Sequence, residues 1–284
     1  MSHYVIITES GGDIPQSYLE KYGIRIVPMH VAFNGKSYDD KSFPTSQIFE
    51  HYAKTKELPV TSGSMPNDFQ KVFDEIWQED PSTHVIYLAY SSITTCSFGS
   101  AKIIAGEDDR VTFIDTKSVT AGQHLVVTEV AEYISQNPHV TPAEITTFAN
   151  DLISRIEMSF IPGGLEFLKA GGRLSNTAFL GATLLRIKPV IEIKNGALVA
   201  TDKLRGNFEK VLTRMISNFL AANEWDKKRV ACINVYGLSQ ECQNLAETML
   251  KDAGFETVEW VDAGGVISSH CGPGSFGLAA FRKN

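Results

Sequence analysis

Short apolar runs alternate with amphipathic stretches along most of this chain, and several runs end in hydroxyl or glycine residues. Tyr4-Val5-Ile6-Ile7 is β-rich and meets Thr8-Glu9-Ser10-Gly11-Gly12-Asp13, after which Gln16 to Tyr22 has helical character. Ile24 to Phe33, broken by Pro28, predicts another strand, and Ser46 to Lys54 a helix. His84 to Tyr90 predicts a buried strand that leads into Ser91-Ser92-Ile93-Thr94-Thr95-Cys96-Ser97-Phe98-Gly99-Ser100, with a helix starting near Phe98. Val111 to Ile114 repeats the pattern, ending at Asp115-Thr116-Lys117-Ser118. Ala121 to Ser135 reads as a long amphipathic helix, and Thr141 is placed to cap a helix from Ala143 to Ile156. Such alternation predicts a mostly parallel sheet with helices on both faces, the arrangement in which ligands bind at the strands' carboxyl ends.

The pattern changes at Met158, which places a domain boundary near Glu157: an N-terminal domain over residues 1–157 and a C-terminal one over 158–284. Phe160 to Leu168 is apolar and ends in the turn Lys169-Ala170-Gly171-Gly172-Arg173-Leu174-Ser175. Thr177 to Leu185 has hardly any polar face, so it predicts a helix that is buried or lines an apolar cavity. Asn195-Gly196 between two apolar runs signals a hairpin. Asn207 to Ala222 and Ser239 to Ala253 read as helices, Arg229 to Tyr236 and Glu256 to Val261 as strands. The fold class is α/β throughout, with a mixed or antiparallel sheet in the C-terminal domain.

Composition narrows the function. At 284 residues, 43% hydrophobic and 21% charged, the chain has the make-up of an ordinary globular protein with room for a sizeable core. A net charge of −7 argues against nucleic acid as the main partner, because phosphate binding needs a basic footprint. Cys96, Cys232, Cys242 and Cys271 are scattered with no Cys-x-x-Cys pair, so a structural zinc site is not expected. No window approaches a membrane span and no signal sequence opens the chain, so the expectation is a cytoplasmic protein with reduced thiols and no stable membrane insertion. Gly-x-Gly-x-x-Gly and Gly-x-x-x-x-Gly-Lys patterns are both missing, which speaks against dinucleotide and P-loop sites.

Two further stretches carry candidate chemistry. Thr61-Ser62 precedes a helix running from about Asn67 to Gln78, either as part of a capping cluster or as an anion cradle at the helix N-terminus. Near the end, Gly264 to Gly277 combines glycines, Pro273, three serines and His270 in a run that reads as a ligand-facing loop or, more plainly, as a turn with a satisfied histidine.

Taken together, Thr8-Glu9-Ser10, Thr61-Ser62, Ser91 to Ala101, Asp115-Thr116, Leu168 to Ser175, Ile187-Lys188-Pro189 and His270-Cys271-Gly272-Pro273-Gly274 resemble the DegV family in order and spacing, over essentially the whole chain. The resemblance implies a two-domain α/β protein holding one long-chain fatty acid between its domains and presenting the carboxylate to a separate ATP-dependent kinase subunit, which makes an acyl phosphate. It implies no cofactor and no catalytic residue. It points to Thr61, Ser62, Thr95, Cys96 and His270 as the carboxylate site, although Cys96 stands where the family has glycine. Candidates for the acyl pocket are Phe160, Ile161, Leu168, Phe179, Leu184, Leu185 and Ile267. Arg173, Lys203 and Arg205, with Lys188, form a basic set read either as solvated charge or as a docking surface for the kinase. Two competing readings are an acyl hydrolase using a serine with His270 as base, disfavoured by the missing Gly-x-Ser-x-Gly elbow, and a carrier of another amphipathic anion.

Overall fold

The apolar runs become strands of two separate sheets, with one helix clamped between them. The structure is a computed structural model that describes residues 4–175 and 187–283. The helix expected over Thr177 to Leu185, and with it the pocket candidates Phe179, Leu184 and Leu185, lies outside the described residues.

In chain order, β1 (Tyr4–Glu9) passes through a 3-10 turn at Ser10–Gly12 to α1 (Gln16–Tyr22), β2 (Arg25–Val27), β3 (His30–Phe33) and β4 (Lys36–Asp39). Next come α2 (Ser46–Thr55), β5 (Val60–Ser62), α3 (Pro66–Glu79), β6 (His84–Ala89), α4 (Ser97–Ala105) and β7 (Val111–Asp115). Two longer helices follow, α5 (Thr120–Gln136) and α6 (Pro142–Arg155), then β8 (Ile156–Ile161) and α7 (Leu165–Gly171). The remainder is β9 (Ile187–Lys194), β10 (Ala197–Arg205), α8 (Phe208–Ala222), β11 (Trp225–Asn234), α9 (Gln240–Asp252), β12 (Thr257–Asp262), α10 (Gly265–Cys271) and β13 (Phe276–Arg282).

The first sheet is parallel with order β2-β1-β6-β7. The second runs β10-β9-β8-β13-β11-β12 and is antiparallel except for the β11–β12 pair. A small antiparallel sheet, β4-β3-β5, stands beside them. The run from Ile24 to Phe33 is thus two strands in two sheets. Pro28 has no N–H to donate to a ladder, and the chain changes sheets there. The Asn195-Gly196 hairpin forms as its sequence predicts, with both residues at positive φ (50° and 86°) and Lys194 paired with Ala197. β13 was not anticipated. It lies beyond the glycine-rich stretch, is buried on both faces, and shows none of the alternation that marks a half-exposed strand.

Period-two alternation sorts the strand residues into layers. Ile7, Val85, Tyr87 and Ala89 face Phe69, Phe73 and Ile76 of α3 and Ala101 of α4, while Ile6, Ile86 and Leu88 face the opposite way, toward α5. In the second sheet Ala231, Ile233 and Ala279 share that inner core, and Val230, Cys232 and Leu278 pack outward on α8 and α9. α5 therefore has sheet on both sides, and from Thr120 to Thr128 every residue is buried. The sequence reads it as amphipathic, but Thr120, Gln123, His124 and Thr128 are polar residues with internal partners instead of a wet face.

One polar cluster ties α5 and α1 to the second sheet. His124 Nε2 lies 2.9 Å from Glu259 Oε2, the Tyr18 hydroxyl donates to Glu259 Oε1 at 2.5 Å, and Arg229 pairs with both Glu259 and Glu129. Burial opposes ionisation of Glu259, yet hydrogen bonds from His124 and Tyr18 and the Arg229 charge bring its carboxyl down to about 2. Removing one partner would leave a largely buried charge uncompensated, a loss of about 3–5 kcal/mol.

Candidate functional site

α5 begins at Thr120, and beyond that end the gap between the sheets is not filled by helix. A cavity with about 720 Å³ of space free of atoms, part of it open to solvent, lies there. Its second-sheet wall is apolar, formed by Met158, Phe160, Leu198, Ile233 and Gly277. Met29, Tyr90 and Val119 close it from the first sheet's side, and Leu168, Val266 and Ile267 come from α7 and α10. Of the expected acyl-pocket residues, Phe160, Leu168 and Ile267 line this cavity. Ile161 does not: it follows Phe160 on a strand, so its side chain emerges on the other face, buried with Val190, Leu212 and Leu278. A glycine is required at 277, because a Cβ there would come within 2.7 Å of Ile233 Cδ1 and 2.8 Å of Phe160 Cβ.

The mouth is polar. His270 stands on the last turn of α10, so the stretch expected to be a loop is a short helix up to Cys271 and opens only at Gly272. Two carboxylates from the N-terminal half hold that helix by its first amides: Gly264 N–H donates to Asp13 Oδ1 at 2.8 Å and Val266 N–H to Asp40 Oδ1 at 3.2 Å. His270 Nε2 thereby meets Thr61 Oγ1 at 2.8 Å. Thr61 and Ser62 belong to β5 and do not cap α3, whose first turn is closed by Asp68 accepting from Met65 N–H at 2.6 Å. Gly63 then brings in Thr95, whose Oγ1 sits only 2.2 Å from where a Cβ on residue 63 would be. Thr61, Ser62, Thr95 and His270 all line the cavity. Cys96 does not line it; it is exposed at the cap position of α4, and Ser97 takes the inward place, bonding Thr95 Oγ1 and Ser64 N–H.

The Gly171-Gly172-Arg173 turn is explained residue by residue. Gly171 lets the chain pass the imidazole, since a Cβ there would lie 2.2 Å from His270 Nδ1. Gly172 adopts the left-handed conformation (φ 63°) that ends α7. Arg173 then turns back to the mouth, donating from Nη1 to Gly171 O at 2.6 Å and from Nε to Thr94 O at 3.4 Å. It has no carboxylate partner among the described residues and lines the cavity. Lys203 and Arg205 are elsewhere, exposed on edge strand β10. At about 3.4 Å per residue they lie roughly 17–24 Å along the strand from Leu198, which bridges to Leu174. Lys188 is spent internally, donating to Gly163 O at 3.0 Å.

Burial of the ring, and secondarily the Arg173 charge, lower the His270 pKa to about 4, so the imidazole is neutral at pH 7. Nδ1 is buried without a partner. An orphaned N–H there costs more than an orphaned lone pair, so the favoured tautomer carries its proton on Nε2 and donates it to Thr61 Oγ1. The Thr61 hydroxyl hydrogen is then free for an acceptor in the cavity. Ser62 Oγ and Arg173 Nη2 also make no hydrogen bond among the described residues, which leaves three donors at the mouth. An anion held there gains about 1.5–3 kcal/mol per charge-assisted bond.

Tyr90, Thr120 and Arg173 are polar residues of the cavity that the sequence did not point to as carboxylate ligands. Thr8, Glu9 and Ser10 had the opposite fate, because their polar atoms turn inward: the Thr8 hydroxyl donates to Leu88 O and the Ser10 hydroxyl to Asp40 Oδ2. Glu9 accepts from the Tyr87 hydroxyl and from Tyr90 N–H, so it fixes the strand end on which Tyr90 stands. Burial pushes its carboxyl up to about 7 against those hydrogen bonds.

This is an α/β protein of two main sheets and a small third one, with an apolar cavity between the main sheets and neutral and cationic donors at its mouth. The family model described as "Uncharacterised protein, DegV family" matches residues 3–283, and the chain belongs to that family. It is similar to a DegV family protein from Thermus thermophilus described for its fatty acid binding, with 28% identity, a TM-score of 0.89 and coverage of 99% of this chain and 100% of that one. A fatty acid binding DegV family protein from Streptococcus agalactiae has 25% identity and a TM-score of 0.85, with both chains fully covered. A DegV domain-containing protein of Clostridium perfringens is 28% identical over 98% of this chain and 99% of its own.

The raised Glu9 pKa has a defined sign. Between the unfolded value of 4.5 and about 7 the folded state holds the extra proton, so the Glu9 contribution is full below 4.5 and is lost as pH rises through 7. His270 and His124, with lowered values, act in the opposite sense, so a comparison with a variant is needed. Glu9→Gln should gain stability over the wild type progressively from pH 5 to pH 8, by about 3 kcal/mol in all, in urea unfolding. A difference independent of pH would contradict the assignment.

Proposed function

We propose that this chain binds a long-chain fatty acid, with its carboxylate among Thr61, Ser62, Thr95, His270 and Arg173 and its alkyl tail in the cavity behind them. The observation that carries the reading is the division of one cavity into an apolar interior and a mouth of unspent donors. Two DegV proteins similar to this chain are described as fatty acid binding, which supports it. Each CH₂ buried contributes roughly 0.8 kcal/mol before ordering costs, so affinity must grow with tail length. Palmitate should bind at least a hundredfold more tightly than acetate in a competition assay, and His270→Ala should weaken palmitate binding about tenfold; equal affinity for the two acids would refute the reading.

We further propose that the bound acid is presented to a separate ATP-dependent kinase subunit, where a carboxylate oxygen attacks the γ-phosphoryl group, ADP leaves and an acyl phosphate forms. Hydrolysis by this chain alone is less well supported, because His270 Nδ1 faces Gly171 and no carboxylate among the described residues orients it. Lys203 and Arg205 remain the docking candidates, whereas Arg173 serves the mouth. Arg205→Ala should lower acyl phosphate production with the partner at least fivefold and leave palmitate affinity unchanged. Unaltered production would exclude Arg205 from docking.

A further inference from the structure

Inside the cavity one polar side chain has no partner and no part in the head-group cluster. Tyr90 follows β6 directly, its ring packed so closely on Gly11 that a Cβ there would lie 3.0 Å from Cε2. It lines the cavity at 7% exposure, and its hydroxyl makes no hydrogen bond to the described residues. The hydroxyl oxygen is not sealed from solvent, so its partner is whatever the cavity holds, water or a ligand group. Thr120, at the start of α5, lines the same cavity and is 1% exposed. Its hydroxyl donates to Asp13 Oδ2 at 2.6 Å, so the oxygen's lone pairs remain available to accept. After burial, the Asp13 charge does most to push the Tyr90 phenol upward, so the phenol stays a donor at neutral pH.

The polar groups that line the cavity differ in exposure: Arg173 is exposed, Thr61, Ser62, Thr95 and His270 are partly buried, and Tyr90 and Thr120 are buried. A buried donor and a buried acceptor match a hydroxyl group, which is itself both, and a plain alkyl chain satisfies neither. We propose that Tyr90 and Thr120 form a second polar subsite that reads a hydroxyl carried on the acyl chain near its carboxylate, which makes hydroxylated long-chain fatty acids the preferred ligand class.

This inference rests on the fatty acid reading above, and one set of measurements separates the two. Palmitate, 2-hydroxypalmitate and 3-hydroxypalmitate are competed against a fluorescent fatty acid on the full chain and on Tyr90→Phe. At least one hydroxy acid should bind the wild type about three- to tenfold more tightly than palmitate, the yield of one net buried hydrogen bond. Tyr90→Phe should abolish that preference, so that on the variant the hydroxy acids bind no more tightly than palmitate does on the same variant. Equal affinity of the wild type for all three acids, with the phenol satisfied by water alone, overturns the subsite, as does a preference that survives Tyr90→Phe. Failure of palmitate itself to bind overturns the fatty acid reading instead.

Discussion

The arrangement depends on one helix being held between two sheets. α5 is buried along its first nine residues because the parallel sheet lies on one side of it and the mixed sheet on the other. Its polar residues are consequently obliged to find internal partners, and the cluster of His124, Glu129, Glu259, Arg229 and Tyr18 is where α5 and α1 are pinned to β11 and β12. The helix also sets the spacing of the sheets. Past its N-terminal end that spacing persists without a helix to fill it, and the space left over is the cavity.

The mouth is assembled by elements far apart in the chain, and small residues permit the approach. Gly63 admits the Thr95 hydroxyl, Gly171 admits the His270 ring and Gly277 admits Phe160, each at a distance that any Cβ would obstruct. Asp13 and Asp40 hold the opposite end of the helix that carries His270, so the imidazole's position is tied to both halves of the protein. Burial keeps that imidazole neutral and in hydrogen-bond contact with Thr61. The positive charge at the mouth is supplied by Arg173.

Much of this was legible in the sequence. Apolar runs with hydroxyl-rich ends marked β1, β6 and β7, Asn195-Gly196 marked a hairpin, and Thr61, Ser62, Thr95 and His270, picked out from the sequence, line one cavity. What escaped was whatever depends on three-dimensional neighbours. Ile161 belongs to the outer core because adjacent strand residues face opposite ways, and register was not deducible from an apolar run. Thr8, Glu9 and Ser10 look like any other polar strand end, yet their partners Leu88, Tyr87 and Asp40 turn them inward. β13 hides behind glycines and an Ala-rich run, and Arg173 looked like surface charge until Gly171 and Gly172 turned it back to the mouth.

The central claim is that the space beyond α5 is built to hold an acyl chain with its carboxylate at the His270 mouth. Native mass spectrometry of the protein purified from bacterial cells, followed by lipid extraction, addresses this most directly. The account predicts one long-chain fatty acid per chain, released on denaturation. A protein of bare polypeptide mass that also fails to take up added palmitate would contradict it.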